Sequence, residues 1–154
     1  MQGIEVVEEQ DVQIDLAVSS YIPDNFIENS SQKIEIYQNI ALCRTEEELQ
    51  NVIDEVIDRY GRLPKELENL IDIARIKQLA RKANILKIAH RENGIVFYFV
   101  KEKIKPEMVN TLITKYPMLV KFSNAVEPYV TLRIKENENI IEKAKEFLNT
   151  VIEI

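Results

Sequence analysis

Three glycines, one cysteine, one histidine and no tryptophan occur in the 154 residues, and each shortage removes a class of function. Gly3, Gly61 and Gly94 are too few and too far apart to build a G-x-x-x-x-G-K-[ST] phosphate loop or a G-x-G-x-x-G turn. Cys43 alone cannot form an internal disulfide, which fits a reducing compartment. His90 has no second histidine or cysteine cluster to share a zinc or iron ion. It reads as a structural residue in a strand, and Cys43 as a buried thiol at a helix end. Carboxylates are plentiful, but no pair with opposed environments is evident, as acid/base catalysis would need. The longest unbroken apolar run, residues 95–100, is six residues long and far short of a membrane span. No signal segment of charged, apolar and small residues opens the chain. The expectation is a cytoplasmic, non-catalytic chain with no metal or cofactor of its own and no membrane partner.

What is present describes a folded domain. Apolar residues make up 45% and charged residues 30%, a composition that supports a core and not disorder. The charge is uneven. No Lys or Arg precedes Lys33, while seven acids do, so the formal net charge of −6 belongs almost wholly to the first thirty residues. Such a chain has no general attraction for nucleic acid, which requires phosphate neutralisation. Residues 1–11 read as an acidic linker or arm and residues 12–154 as one domain.

Val12, Ile14, Leu16 and Val18 alternate with polar or small residues, the period of a half-buried strand. Ser30 or Ser31 can cap a first helix with Ile34, Tyr37, Ile40 and Ala41 as its apolar face. Thr45 and Glu48 match a capping box, and behind them Leu49, Val52, Ile53, Val56, Ile57 and Tyr60 form one helical stripe. Gly61 stops that helix and Pro64 starts a third, which runs to about Ala83. Its packing positions are Leu67, Leu70, Ile71, Ala74, Leu79 and Ala80. Beyond it, residues 85–90 and 95–100 flank Arg-Glu-Asn-Gly, a hairpin signal. The alternation of Ile95, Phe97 and Phe99 with Val96 and Tyr98 reads as a strand buried on both faces. A short helix over 105–116, strands over 119–122 and 129–134, and a closing helix over 137–151 complete the chain. The fold class is therefore α+β: N-terminal helices packed with a small, mostly antiparallel sheet and a C-terminal helix.

Two charged constellations remain. With the stripe facing inward, Asp54, Glu55 and Asp58 face outward as neighbours on the second helix. Like charges so spaced cost roughly 0.2–0.5 kcal/mol per pair, and they sit toward the helix end where the macrodipole disfavours anions. One reading is a solvated acidic face that aids solubility, the other a docking strip for a basic surface. From Ile73 to Arg91 there are cations and no acid; Arg75, Lys77, Arg81 and Lys82 form a basic patch. It reads either as a solvated helix face or as a nucleic-acid contact, with no interleaved aromatic for base stacking.

Five motifs, in order, carry a resemblance: Ile22-Pro-Asp, "KIEIYQNIA" from Lys33, "TEEEL" from Thr45, "IDRYGRLP" from Ile57 and "LIDIARIK" from Leu70. Together with their surroundings they cover about residues 12–90. They resemble the C-terminal domain of the bacterial transcription-repair coupling factor (Mfd) family. The resemblance implies a portion of a longer protein, an ATP-dependent DNA translocase. That protein uses ATP and Mg, displaces stalled RNA polymerase from double-stranded DNA and recruits the repair protein UvrA. It further implies a regulatory domain that docks on the UvrB-like N-terminal module of the same chain and masks UvrA binding. Glu55 and Asp58 would be the contact positions, and Asp54 joins them on geometry alone. A structural end-cap, or an accessory nucleic-acid-binding module using the basic patch, are the alternatives.

Overall fold

Local capping and apolar spacing delimit the elements of the computed structural model, which describes residues 11–154. Residues 1–10 of the expected acidic arm lie outside the described residues. In chain order the elements are β1 (Gln13–Asp15), α1 (Ser30–Leu42), α2 (Glu46–Tyr60), α3 (Lys65–Lys82), β2 (Ile85–Arg91), β3 (Gly94–Phe99), α4 (Pro106–Lys115), β4 (Val120–Ser123), β5 (Tyr129–Arg133) and α5 (Ile140–Glu153). The five strands form one sheet in the order β1-β2-β3-β5-β4. Only the β1–β2 pair is parallel, so the sheet is mostly antiparallel and the α+β class holds.

Side chains pack into two apolar clusters, and α3 belongs to both. Its first half sends Leu67 and Ile71 against Ile36, Ile40, Leu49, Ile53 and Val56 of α1 and α2. Its second half sends Ile76 and Ala80 against the sheet, where Ile88, Phe97, Val130 and Leu132 meet Leu112 of α4 and Phe147 of α5. An eighteen-residue helix is roughly 27 Å long, enough to span a small helical layer and then a sheet. Phe97 and Phe147 stack with centroids 4.1 Å apart, which fixes α5 on the helix-covered face of the sheet.

Several local expectations require correction. The α1 cap is Asn29, whose Oδ1 accepts from the Gln32 N–H at 3.0 Å, and not Ser30 or Ser31. The buried face of α1 is Ile36 and Ile40, while Ile34 is 55% exposed, because α2 and α3 approach from the other side of the helix. Tyr37 is at the margin, and its hydroxyl accepts from the Ile22 N–H at 2.7 Å. Thr45 Oγ1 accepts from the Glu48 N–H at 3.1 Å as a capping box requires, but the Glu48 carboxylate bonds the Arg44 N–H, one residue early. Pro64 is the cap residue of α3 and not its first helical position. Ile76, absent from the expected packing positions, is fully buried. The β2–β3 connection has Glu92 and Asn93 at its tip, since Arg91 pairs with Gly94.

Candidate docking surface on the second helix

The apolar stripe of α2 fixes which residues it presents to solvent. Leu49, Ile53 and Val56 are buried, Val52 and Tyr60 are partly so, and the opposite side carries Asp54, Glu55 and Asp58, all exposed. Asp54 accepts from Gln50 Nε2 at 2.8 Å, and Glu55 lies 3.8 Å from Arg59 across one helical turn. The Asp58 carboxylate has no ion pair or hydrogen bond among the described residues. Between Asp54 and Asp58 sits Ile57, expected in the inward stripe but 44% exposed. The strip is thus acidic with an apolar centre, a composition that a solvated face does not require.

The end of α2 that bears Asp58 is held firmly. The Tyr60 hydroxyl donates to Gln32 Oε1 at 3.0 Å, and the ring rests against Phe26 with centroids 5.9 Å apart. The helix stops at Gly61, whose φ of 95° suits a residue without a Cβ. A carboxylate on so fixed a helix turn loses little further freedom when it meets a cation.

The basic patch is divided by the fold. Arg75 Nε donates to both Glu46 oxygens at 3.0 and 3.1 Å, and its Nη1 donates to Asp72 at 3.0 Å. Lys145 Nζ donates to the same Asp72 oxygen at 2.7 Å, so this network ties α2, α3 and α5 together. Hydrogen bonding to Glu46 raises the Arg75 pKa above the usual value, so this guanidinium is a satisfied structural cation. Lys77 and Arg81 instead border a groove of about 410 Å³ between α1 and α3, floored by Ile40, Ala41, Leu70 and Ala74. Lys82 is exposed in the last turn of α3. The four cations do not form one continuous outward strip.

The Asp72 network supports a direct prediction. Asp72→Ala leaves Arg75 with Glu46 alone and deprives Lys145 of its short contact, with side-chain exposures of only 29% and 22%. The expected loss is about 1–2 kcal/mol, within the range for charge-assisted hydrogen bonds that are partly shielded from water. A urea midpoint unchanged within error would show that solvent replaces Asp72 without cost.

Other singled-out residues have structural settings. Cys43 Sγ donates to the Asn39 carbonyl at 3.1 Å, and burial pushes its thiol pKa up, away from the thiolate a nucleophile needs. His90 is half-buried on β2. Among the described residues no group of His, Cys, Asp and Glu is placed to hold a metal ion, and no helix is long and apolar enough to cross a membrane. The reading of β3 as buried on both faces holds for every residue but Tyr98, yet sequence reasoning did not single out the sheet face that bears Tyr98 and Tyr129. Tyr98 is half-buried, and the period-two spacing of Lys87, Ala89 and Arg91 was the available signal.

Comparison with known proteins agrees with this architecture. The family model for the TRCF domain matches residues 16–109. The transcription-repair-coupling factor of Rickettsia typhi is 33% identical over 141 residues, 92% of this chain and 12% of the relative. That of Escherichia coli is 30% identical over 152 residues, 98% of this chain and 13% of the relative. The chain therefore spans about an eighth of the length of these curated relatives. A crystal structure of the C-terminal domain of transcription-repair coupling factor superposes with a TM-score of 0.81 at 20% identity, covering 93% of this chain and 92% of that one. Extended sequence similarity and shared topology lead to one assignment: the chain belongs to the TRCF domain family, and it has the fold of the C-terminal domain of the transcription-repair-coupling factors.

Proposed function

We propose that this domain is a regulatory latch within a longer DNA translocase, and that the α2 strip is its contact surface. Asp54, Glu55 and Asp58 dock on a basic surface of the UvrB-like N-terminal module of the same chain and thereby mask the site for UvrA. The parent protein uses ATP and Mg to translocate on double-stranded DNA and act on RNA polymerase; this portion contributes the switch and no catalysis. The observation that carries the reading is Asp58: an exposed carboxylate with no partner among the described residues, beside the exposed Ile57, on a helix end fixed by Tyr60. Repulsion among the acids is relieved once cations face them, and a tether supplies effective concentration, so each contact can stay weak and reversible.

The test is binding of this domain to the N-terminal module of its own parent chain across a salt series. Weak binding that fades with salt, and that Glu55→Lys with Asp58→Lys lowers at least ten-fold, is the expected result. In the full-length protein the same pair of changes is expected to raise UvrA affinity. No binding at low salt and millimolar concentration would leave the strip a solubility face and the domain a structural end-cap.

A further inference from the structure

The face of the sheet turned away from the helices has a character of its own. Cross-strand pairing sets it out in rows. Arg91, Gly94 and Arg133 form one row across β2, β3 and β5. Ala89, Val96, Thr131 and Lys121 form the next, across β2, β3, β5 and β4. Lys87, Tyr98, Tyr129 and Ser123 form the third. None of these residues belongs to the apolar cluster beneath the helices. Gly94, Ala89 and Val96 carry no side chain larger than valine's, and all three are buried.

At one end of these rows Arg91, Lys121 and Arg133 are exposed and form no ion pair among the described residues. With Gly94, Thr131 and Met118 they border a hollow of about 650 Å³. At the other end the rings of Tyr98 and Tyr129 lie side by side with centroids 5.6 Å apart, and Lys87 Nζ sits 5.6 Å from the Tyr98 centroid. Among the described residues, Asp15 on the β1 edge, Glu92 in the hairpin loop and Glu127 in the turn before Tyr129 are the acids that border these rows. Four cations against three acids among the described residues leave this face positive on a chain of net charge −6. Arg91 and Arg133 are two strand spacings apart, roughly 10 Å, so they can hold separate anionic groups and not one.

We propose that this open sheet face binds single-stranded nucleic acid, with phosphates at Arg91, Lys121 and Arg133 and bases against Tyr98 and Tyr129. An acidic peptide would satisfy the cations but would have no use for paired rings at the other end of the same face. Single strands use both, because backbone neutralisation and base–aromatic stacking are the two terms of their binding. The surface is separate from the α2 strip, so the two proposals stand or fall independently.

The test is fluorescence anisotropy of a labelled fifteen-nucleotide oligothymidylate and the matching oligouridylate, titrated with the full 154-residue chain. Three phosphate contacts on a single strand predict a log–log salt slope near −2, and so a roughly twenty-fold loss of affinity between 50 and 200 mM salt. Lys121→Glu with Arg133→Glu is expected to weaken binding at least ten-fold and flatten that slope. Tyr129→Ala is expected to weaken it roughly five-fold or more at every salt concentration, since stacking is not screened. Tyr129→Leu, which keeps apolar bulk without a ring, repeats the measurement should the alanine variant unfold. No binding to either oligonucleotide at 50 mM salt overturns the proposal. So does binding that both tyrosine variants leave unchanged, or equal affinity for a polyglutamate peptide of the same length.

Discussion

Phe147→Ala is expected to destabilise the domain by about 4 kcal/mol, within the usual range for removing a buried aromatic ring. Phe147 is fully buried on α5 and stacks on Phe97 at 4.1 Å with planes 7° apart, while Tyr116, which caps the C-terminus of α4, lies 6.0 Å away. Truncation would leave a cavity lined by a rigid strand on one side and the end of α4 on the other, neither of which can close in cheaply. Single domains are stable by about 5–15 kcal/mol, so this one change removes a large fraction of the total. Urea unfolding is the measurement, with a lower midpoint and an unchanged slope expected. Phe147→Leu should lose much less, because it keeps most of the volume. A loss below about 2 kcal/mol for the alanine variant would mean that the site collapses around the gap, contrary to the packing described.

Elements written in short-range pattern were legible in the sequence. The α2 stripe, its Thr45 cap and its Gly61 stop need only about fifteen consecutive residues, and the structure has them in place apart from Ile57, which the stripe included and which is 44% exposed. The same is true of Pro106 at the first position of α4. The α1 face was not legible, because its apolar residues occur at Ile34 and Tyr37 as well as at Ile36 and Ile40. Which set is buried depends on where α2 and α3 arrive, information that α1 does not contain. Ile76 was missed for a related reason. The apolar positions of α3 shift as the helix passes from one cluster to the other, so no single stripe runs its whole length.

The same division separates the two surfaces. The α2 strip could be read directly, since residues three and four apart on a helix are neighbours whatever the rest of the chain does. The role of Arg75 could not, because Glu46 is 29 positions away and Asp72 meets Lys145 across 73. The open sheet face required the full strand order. Only the register that puts Gly94 opposite Arg133 and Thr131 opposite Lys121 brings its cations together.

Gly94→Ala is expected to cost about 3 kcal/mol, at the upper end of the usual range for overpacking, although a single methyl group is added. A Cβ at Gly94 would run into the Leu132 carbonyl oxygen and lie 3.1 Å from its carbon and 3.2 Å from Arg133 Cα. These are backbone atoms of the paired strand, so relief requires β3 and β5 to separate where Gly94 faces Arg133. At Gly61 the cause would be different, because a Cβ there meets nothing within 4 Å and the penalty is the positive φ of 95° alone. Gly61→Ala should therefore cost about 1–3 kcal/mol and loosen only the end of α2. Hydrogen exchange separates the two cases. Gly94→Ala should lose amide protection along β3 and β5, and Gly61→Ala only near Tyr60. Because β5 lies between β3 and β4, a β5 displaced at Arg133 also moves Arg133 away from Arg91 and shifts Lys121 with β4. Equal stability of the Gly94→Ala variant and the parent chain would mean that β3 and β5 are not paired in this register, and the cation rows on the open face would then have to be drawn again.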